Sequence, residues 1–299
     1  MKDRPKKRHG DRHDGYLIRS ADPLHLFMPY ILGERTANEA VMNDSIDLTA
    51  ADAYLDRLNA DNPEHPYTLF HLICAALAKT FALRPKMNYF IQNGQQFERQ
   101  DISFAFVAKR KFADNGEEAL IIMKMDEQDG APAPIVQTHD KVCAEVYKVR
   151  EGTADDGTTE QLAWMTKLPK FVLRGLVGIL KWMDRTDRLP KALNDVNPYN
   201  VSVFITNLGS IRMSASYHHL TNFGTNSFFA IIGEKRQVPV YAPDGSVRMT
   251  EHVELGFTID ERIGDGFYFA RSLKLLKYLL QHPETLSEPL YAPVDWQEK

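Results

Sequence analysis

The sequence predicts one α/β sandwich built on a mixed sheet, and three observations carry that prediction. Helical patterns alternate with short strand patterns along the whole chain. Most strand pairs are close enough in sequence to be hairpins, which argues against a doubly wound parallel fold. Two runs, Val201 to Thr206 and Ser227 to Ile232, are almost wholly apolar, as central strands covered on both faces are. No Pro/Gly-rich boundary or internal repeat divides the chain. Residues 21–299 therefore read as a single domain, preceded by a basic, mobile tail over 1–20.

The elements follow in order. Glu39 to Leu48 reads as a strand and Thr49 to Leu58 as a helix. The clearest helix is Thr68 to Leu83: Thr68 caps it, Leu69, Leu72, Ile73, Ala76, Leu77 and Thr80 share a face, and Pro85 marks its end. Ile102 to Lys109 and Glu118 to Met125 form a strand pair around Asp-Asn-Gly at 114–116. Thr138 to Arg150 is helical, Glu151 to Thr159 a polar loop, and Gln161 to Asp184 a longer helical stretch broken at Pro169. After the two apolar strands, Val238 to Tyr241 and Ser246 to Thr258 pair around Pro243-Asp244-Gly245. The last helix starts at Asp265, runs to Gln281 and stops at His282-Pro283.

Composition narrows the function. Across 299 residues, 36 Lys and Arg face 40 Asp and Glu, so no overall field draws nucleic acid. Two cysteines, Cys74 and Cys143, make neither a disulfide framework nor a metal spacing and read as reduced core residues, with the cytoplasm as the simplest compartment. The tail carries six Lys or Arg before residue 13, but no apolar segment follows it as in a targeting signal. Nor is there a membrane-spanning run, since Lys170, Arg174 and Lys181 interrupt the nearest approach.

The motif inventory is mostly negative. There is no phosphate-binding or dinucleotide glycine loop, no G-x-S-x-G elbow and no HExxH. The ten histidines are scattered apart from His218-His219, and no metal site is expected.

Three ordered segments do carry a resemblance. They are Tyr67 to Ala78 followed by Arg84-Pro85-Lys86-Met87-Asn88, then Val203-Phe204-Ile205-Thr206-Asn207-Leu208-Gly209, then Ile259-Asp260-Glu261-Arg262-Ile263-Gly264-Asp265-Gly266. Together they resemble the catalytic domain of the dihydrolipoyl acyltransferases and of chloramphenicol acetyltransferase, over residues 40 to 285. The lipoyl and subunit-binding domains of that superfamily have no counterpart in this sequence. The resemblance implies a two-layer sandwich in a homotrimer with active sites between subunits. It also implies CoA or acyl-CoA as a co-substrate, or an acyl carrier, with no permanently bound cofactor and an acceptor left open.

Residue by residue, the resemblance places Asp265 and Gly266 at the motif's Asp-Gly and Thr206 at the hydroxyl that steadies the oxyanion. Glu261 stands where the family's catalytic His belongs. Asp265 also serves as an ordinary helix cap, and Thr206 as an ordinary β-branched strand residue. For Glu261 three outcomes stay open. Burial in an apolar slot raises its basicity, His218 or His219 takes over as base, or base catalysis is lost and the protein is a trimeric scaffold. The stretch 169–185 reads as a core or oligomer helix whose lysines snorkel, with membrane-surface contact as the alternative.

Overall fold

The computed structural model describes residues 4–109, 118–151 and 167–296. A six-stranded sheet is the frame. In chain order its strands are β2 (Glu39–Asp47), β5 (Ser103–Lys109), β6 (Glu118–Lys124), β7 (Val203–Asn207), β8 (Phe228–Tyr241) and β9 (Val247–Asp260). In space they run β2-β9-β8-β7-β5-β6. The β5/β7 and β7/β8 pairs are parallel and the other three antiparallel. This is the mixed sheet expected.

Alternation assigns the two faces. Phe104, Phe106, Val203, Ile205, Phe228, Ala230, Leu255 and Phe257 point into one core. Four helices cover that face: α2 (Thr49–Leu58), α3 (Leu69–Leu83), α4 (Pro134–Glu151) and α7 (Gly266–Gln281). α3 is central and packs on both α4 and α7. Its entry is a capping box, in which His71 Nδ1 accepts from the Thr68 backbone N–H at 3.0 Å. Cys74 lies in this core, whereas Cys143 on α4 is only half-buried. α4 starts four residues earlier than expected, because Pro134 is pre-shaped for a first helical turn.

A second, three-stranded sheet escaped sequence reading. β1 (Gly15–Leu17), β4 (Gln95–Arg99) and β3 (Tyr89–Gln92) lie in the order β1-β4-β3. The β3–β4 turn is Asn93-Gly94, both at positive φ (51° and 74°), the strongest hairpin dipeptide there is. β1 lies within the segment expected to be a basic tail. Lys7 Nζ donates to the carbonyls of Arg12 and Gly15, and Asp11 accepts from the Leu17 N–H. The acidic residues among the basic ones give this segment local partners.

Two further helices were not separated by periodicity. α1 (Pro23–Ile31) follows β1, and α6 (Lys191–Asp195) follows α5 (Lys170–Arg185). The break expected at Pro169 is where α5 starts. The core reading of 169–185 is corrected: Asp184 is the buried residue of α5, and its apolar side chains are exposed or half-buried. β8 is also longer than expected, continuing across Glu234-Lys235-Arg236 through an irregularity between Ile232 and Lys235. The turn at 114–116, the loop after Glu151 and the helical stretch 161–166 lie outside the described residues.

Candidate active site

The site residues fall on the sheet face away from the helices and at its β9 end. Val203 and Ile205 point into the core, so Phe204 and Thr206 point outward. Register places Phe204 beside Phe229, and Thr206 beside Ile231. On this face four rings line up: Tyr199 on Phe204 (6.1 Å), Phe204 on Phe229 (5.0 Å) and His218 on Phe229 (4.8 Å). Thr206 is half-buried, one strand over and one side-chain row along from Phe229.

The turn after Thr206 explains its short motif. Asn207 Oδ1 accepts from the Ser210 N–H, opening a 3₁₀ turn over Leu208–Ile211. A Cβ on Gly209 would lie 2.4 Å from the Gly233 carbonyl oxygen, so only glycine lets this turn reach β8.

His218 and His219 lie on the irregular segment that crosses the outer face between that turn and β8. The segment is pinned beyond them. Arg35 donates to the carbonyls of Thr221 and Gly224, and Glu39 accepts from the Leu220 N–H. His218 is half-buried, and burial plus the adjacent His219 hold its pKa below the usual histidine range. Its imidazole is therefore neutral at pH 7. His219 is exposed.

The third motif makes the passage from β9 to α7. Asp260 is fully buried and accepts from Arg262 Nε at 2.8 Å and Nη2 at 2.7 Å. Arg262 Nη1 reaches the Leu32 carbonyl at 2.7 Å, and Arg35 Nε lies 3.4 Å from Asp260. This buried cluster orients the turn, and sequence reading missed it because Arg35 is 225 residues away from Asp260. Glu261, between the two buried residues, is exposed, and the described residues form no apolar slot around it. Asp265 caps α7, accepting from the Tyr268 N–H at 2.8 Å.

The structure does not bring Thr206 and Glu261 together within one chain. Thr206 aligns with Ile231 and Ile231 with Gly256, so Glu261 is two strands across and five residues along. That is roughly 10 Å by 16 Å of sheet. His218 is the titratable group of the predicted set on the same face as Thr206.

Among the described residues, His13, Asp14 and Asp187 form a group with metal-type atoms within 4.8 Å of one another. Their charges are already matched. Arg12 holds Asp14 at 2.9 Å and lies 3.6 Å from Asp187, while His13 faces Asp187 and Asn194. The Asp187 contact raises the His13 pKa.

A probable dihydrolipoamide acetyltransferase from Listeria monocytogenes 4b F2365 superimposes with TM-score 0.56 at 16% identity, covering 91% of this chain and 95% of that one. The Azotobacter vinelandii dihydrolipoamide acetyltransferase gives 0.58 at 14% identity, covering 90% and 94%. This chain has the dihydrolipoyl acyltransferase fold. Chloramphenicol acetyltransferase also matches, with TM-score 0.50 at 11% identity over 92% of this chain and all of that one. No protein-family model and no curated protein sequence matches the chain. The acyltransferase fold thus extends over nine-tenths of the chain.

Proposed function

We propose that the protein transfers an acyl group from a CoA-type thioester to an acceptor of open identity, as a homotrimer with its active sites between copies. The observation that carries this reading is Thr206, set on the outer sheet face of an acyltransferase fold, one side-chain row along from a line of aromatic rings. Exposed Val41, Val107 and Leu120 on the same face offer an apolar surface for a second copy. In the reaction, the acceptor attacks the thioester carbonyl while a base takes its proton. Thr206 donates a hydrogen bond to the oxyanion, the C–S bond breaks, and the thiolate leaves with the proton from the base. An interfacial site would take Glu261 from a neighbouring copy as that base, and His218 is the rival. Asp265 shapes the turn without touching the reacting atoms.

Incubation with a panel of acyl-CoA compounds, reading released thiol and protein mass, tests this. Thr206→Val should then lower the rate about 10²–10³-fold, and Glu261→Gln about 10²–10⁴-fold. Activity that survives Glu261→Gln and disappears with His218→Ala moves the base to His218. Light scattering should give three times the chain mass, and a clean monomer would remove the interfacial site. The exposure of Glu261 favours a second reading, a trimeric binding protein that keeps the cleft without the chemistry. Saturable CoA binding with no turnover of any thioester would establish that one instead.

A further inference from the structure

We propose that helix α5 docks the protein on the surface of an anionic phospholipid bilayer. The helix divides into three sides. Leu173, Leu176, Leu180 and Met183, spaced 3, 4 and 3, are half-buried and face the body. Phe171, Gly175, Ile179 and Trp182, spaced 4, 4 and 3, descend the side turned to water. Phe171 is 78% exposed, Ile179 56% and Trp182 53%. Lys170, Arg174, Lys181 and Arg185, spaced 4, 7 and 4, descend the adjacent side, all exposed. None of these four pairs with a carboxylate among the described residues.

Nearby acidic groups are already engaged. Asp184 is buried and accepts from Gln92 and from the Gly224 N–H, while Asp187 faces His13. Lys167, Arg188 and Lys191 extend the exposed positive charge past both ends of the helix.

An exposed apolar row beside an exposed cationic row is the pattern of a helix that lies in a headgroup layer. Phe171 and Trp182 stand eleven residues apart, about 16 Å along the axis, so both can enter one plane. Gly175 sits between them, and a Cβ there would meet nothing within 4 Å. The contacts of this chain therefore do not require a glycine at that position. A second exposed apolar row lies on α1. Leu24, Phe27, Tyr30 and Ile31 of α1 are each at least 60% exposed. α1 adjoins α5 at a cavity of about 350 Å³ lined by Pro29, Tyr30 and Arg185. Charge complementarity selects the occupant: a neutral apolar partner would leave the lysines and arginines unmatched, and an anionic surface matches them. The inference is independent of acyl transfer.

Cosedimentation of the full chain with phosphatidylglycerol and with phosphatidylcholine vesicles tests it. Binding should be confined to phosphatidylglycerol and weaken steeply as salt rises to about 1 M, where screening shortens to about 3 Å. Lys170→Gln and Arg174→Gln should each reduce partition about fivefold, and together about twenty-five-fold. Phe171→Ser with Trp182→Ser should reduce it at least about tenfold. Gly175→Leu should increase it, whereas a closely packed protein partner would be pushed off. All five sites are exposed, so circular dichroism should be unchanged. No binding to phosphatidylglycerol at low salt overturns the proposal. Binding of equal strength in every variant overturns it too, because the basic segment before residue 13 would then carry it. A solution mass that falls with Phe171→Ser and Trp182→Ser, without vesicle binding, makes the face a contact between copies and likewise overturns it.

Discussion

Helices α3 and α5 are close to equal in length and rich in the same apolar side chains, yet the fold treats them in opposite ways. From His71 to Phe81 every residue of α3 is buried, including Lys79, whose ammonium donates to the carbonyls of Thr285 and Pro289. α5 leaves its four in-helix cations in water and buries only Asp184. Composition thus does not decide which helix enters a core. The difference lies in charge spacing: α3 carries one cation, within reach of backbone carbonyls, whereas α5 carries a continuous cationic row that no interior could match.

The largest effect that would break this contrast is in α3. Phe81→Ala removes a ring packed edge-on against Phe228 at 5.3 Å and should cost about 3–5 kcal/mol in denaturant unfolding. A cost under 1 kcal/mol would mean that α3 is not the centre of the core.

The second prediction concerns pH. Burial, with His139 nearby, lowers the His71 pKa to about 4. An unfolded histidine titrates near 6.5, so between these values the unfolded chain binds the extra proton. The associated stability, up to roughly 3 kcal/mol, is fully present above pH 6.5 and is lost as pH falls towards 4. His71→Gln, which preserves a capping group, should flatten the stability profile across that window. An unchanged profile would assign the acid sensitivity elsewhere.

Smaller effects sharpen the contrast. Thr68→Ala removes a cap of α3 and should cost about 1 kcal/mol. Ile179→Ala on α5 should change stability by less than about 0.5 kcal/mol, as surface substitutions do. A loss as large as that of Phe81→Ala would show that α5 is covered in solution.

These two helices also mark how far the sequence can be read. The bounds of α2, α3 and α7 follow from local patterns, because Thr68, Asp265 and Pro85 act within a few residues of themselves. β3 and β4 were equally local, and Asn93-Gly94 was the signal that went unused. In the outward arm of β8, the pairing of Val238 to Tyr241 was legible from its turn, but its continuity with Phe228 across Glu234-Lys235-Arg236 was not, since those charged residues interrupt the apolar pattern. At the candidate site, Thr206, Glu261 and Asp265 were located by motif, but their surroundings depend on distant segments. Arg35 and Asp260 come from opposite ends of the domain, and only folding shows that Arg262 turns inward while Glu261 turns out. The exposed side of α5 was not legible because the spacing of its leucines alone fits a buried helix.

The sheet also imposes an order of assembly. β2 is made first and pairs with β9, from Glu39 against Asp260 to Asp47 against His252. β7, which joins β5 to β8, begins only at Val203. A ribosome adding about 5–20 residues each second therefore holds β2 without its neighbour for about 10 s or longer. Throughout that interval the backbone donors and acceptors of β2 form an open edge, as those of β5 do until β7 is made, and another nascent chain could pair there. The strand that closes the gap in the middle of the sheet is supplied after two-thirds of the polypeptide exists.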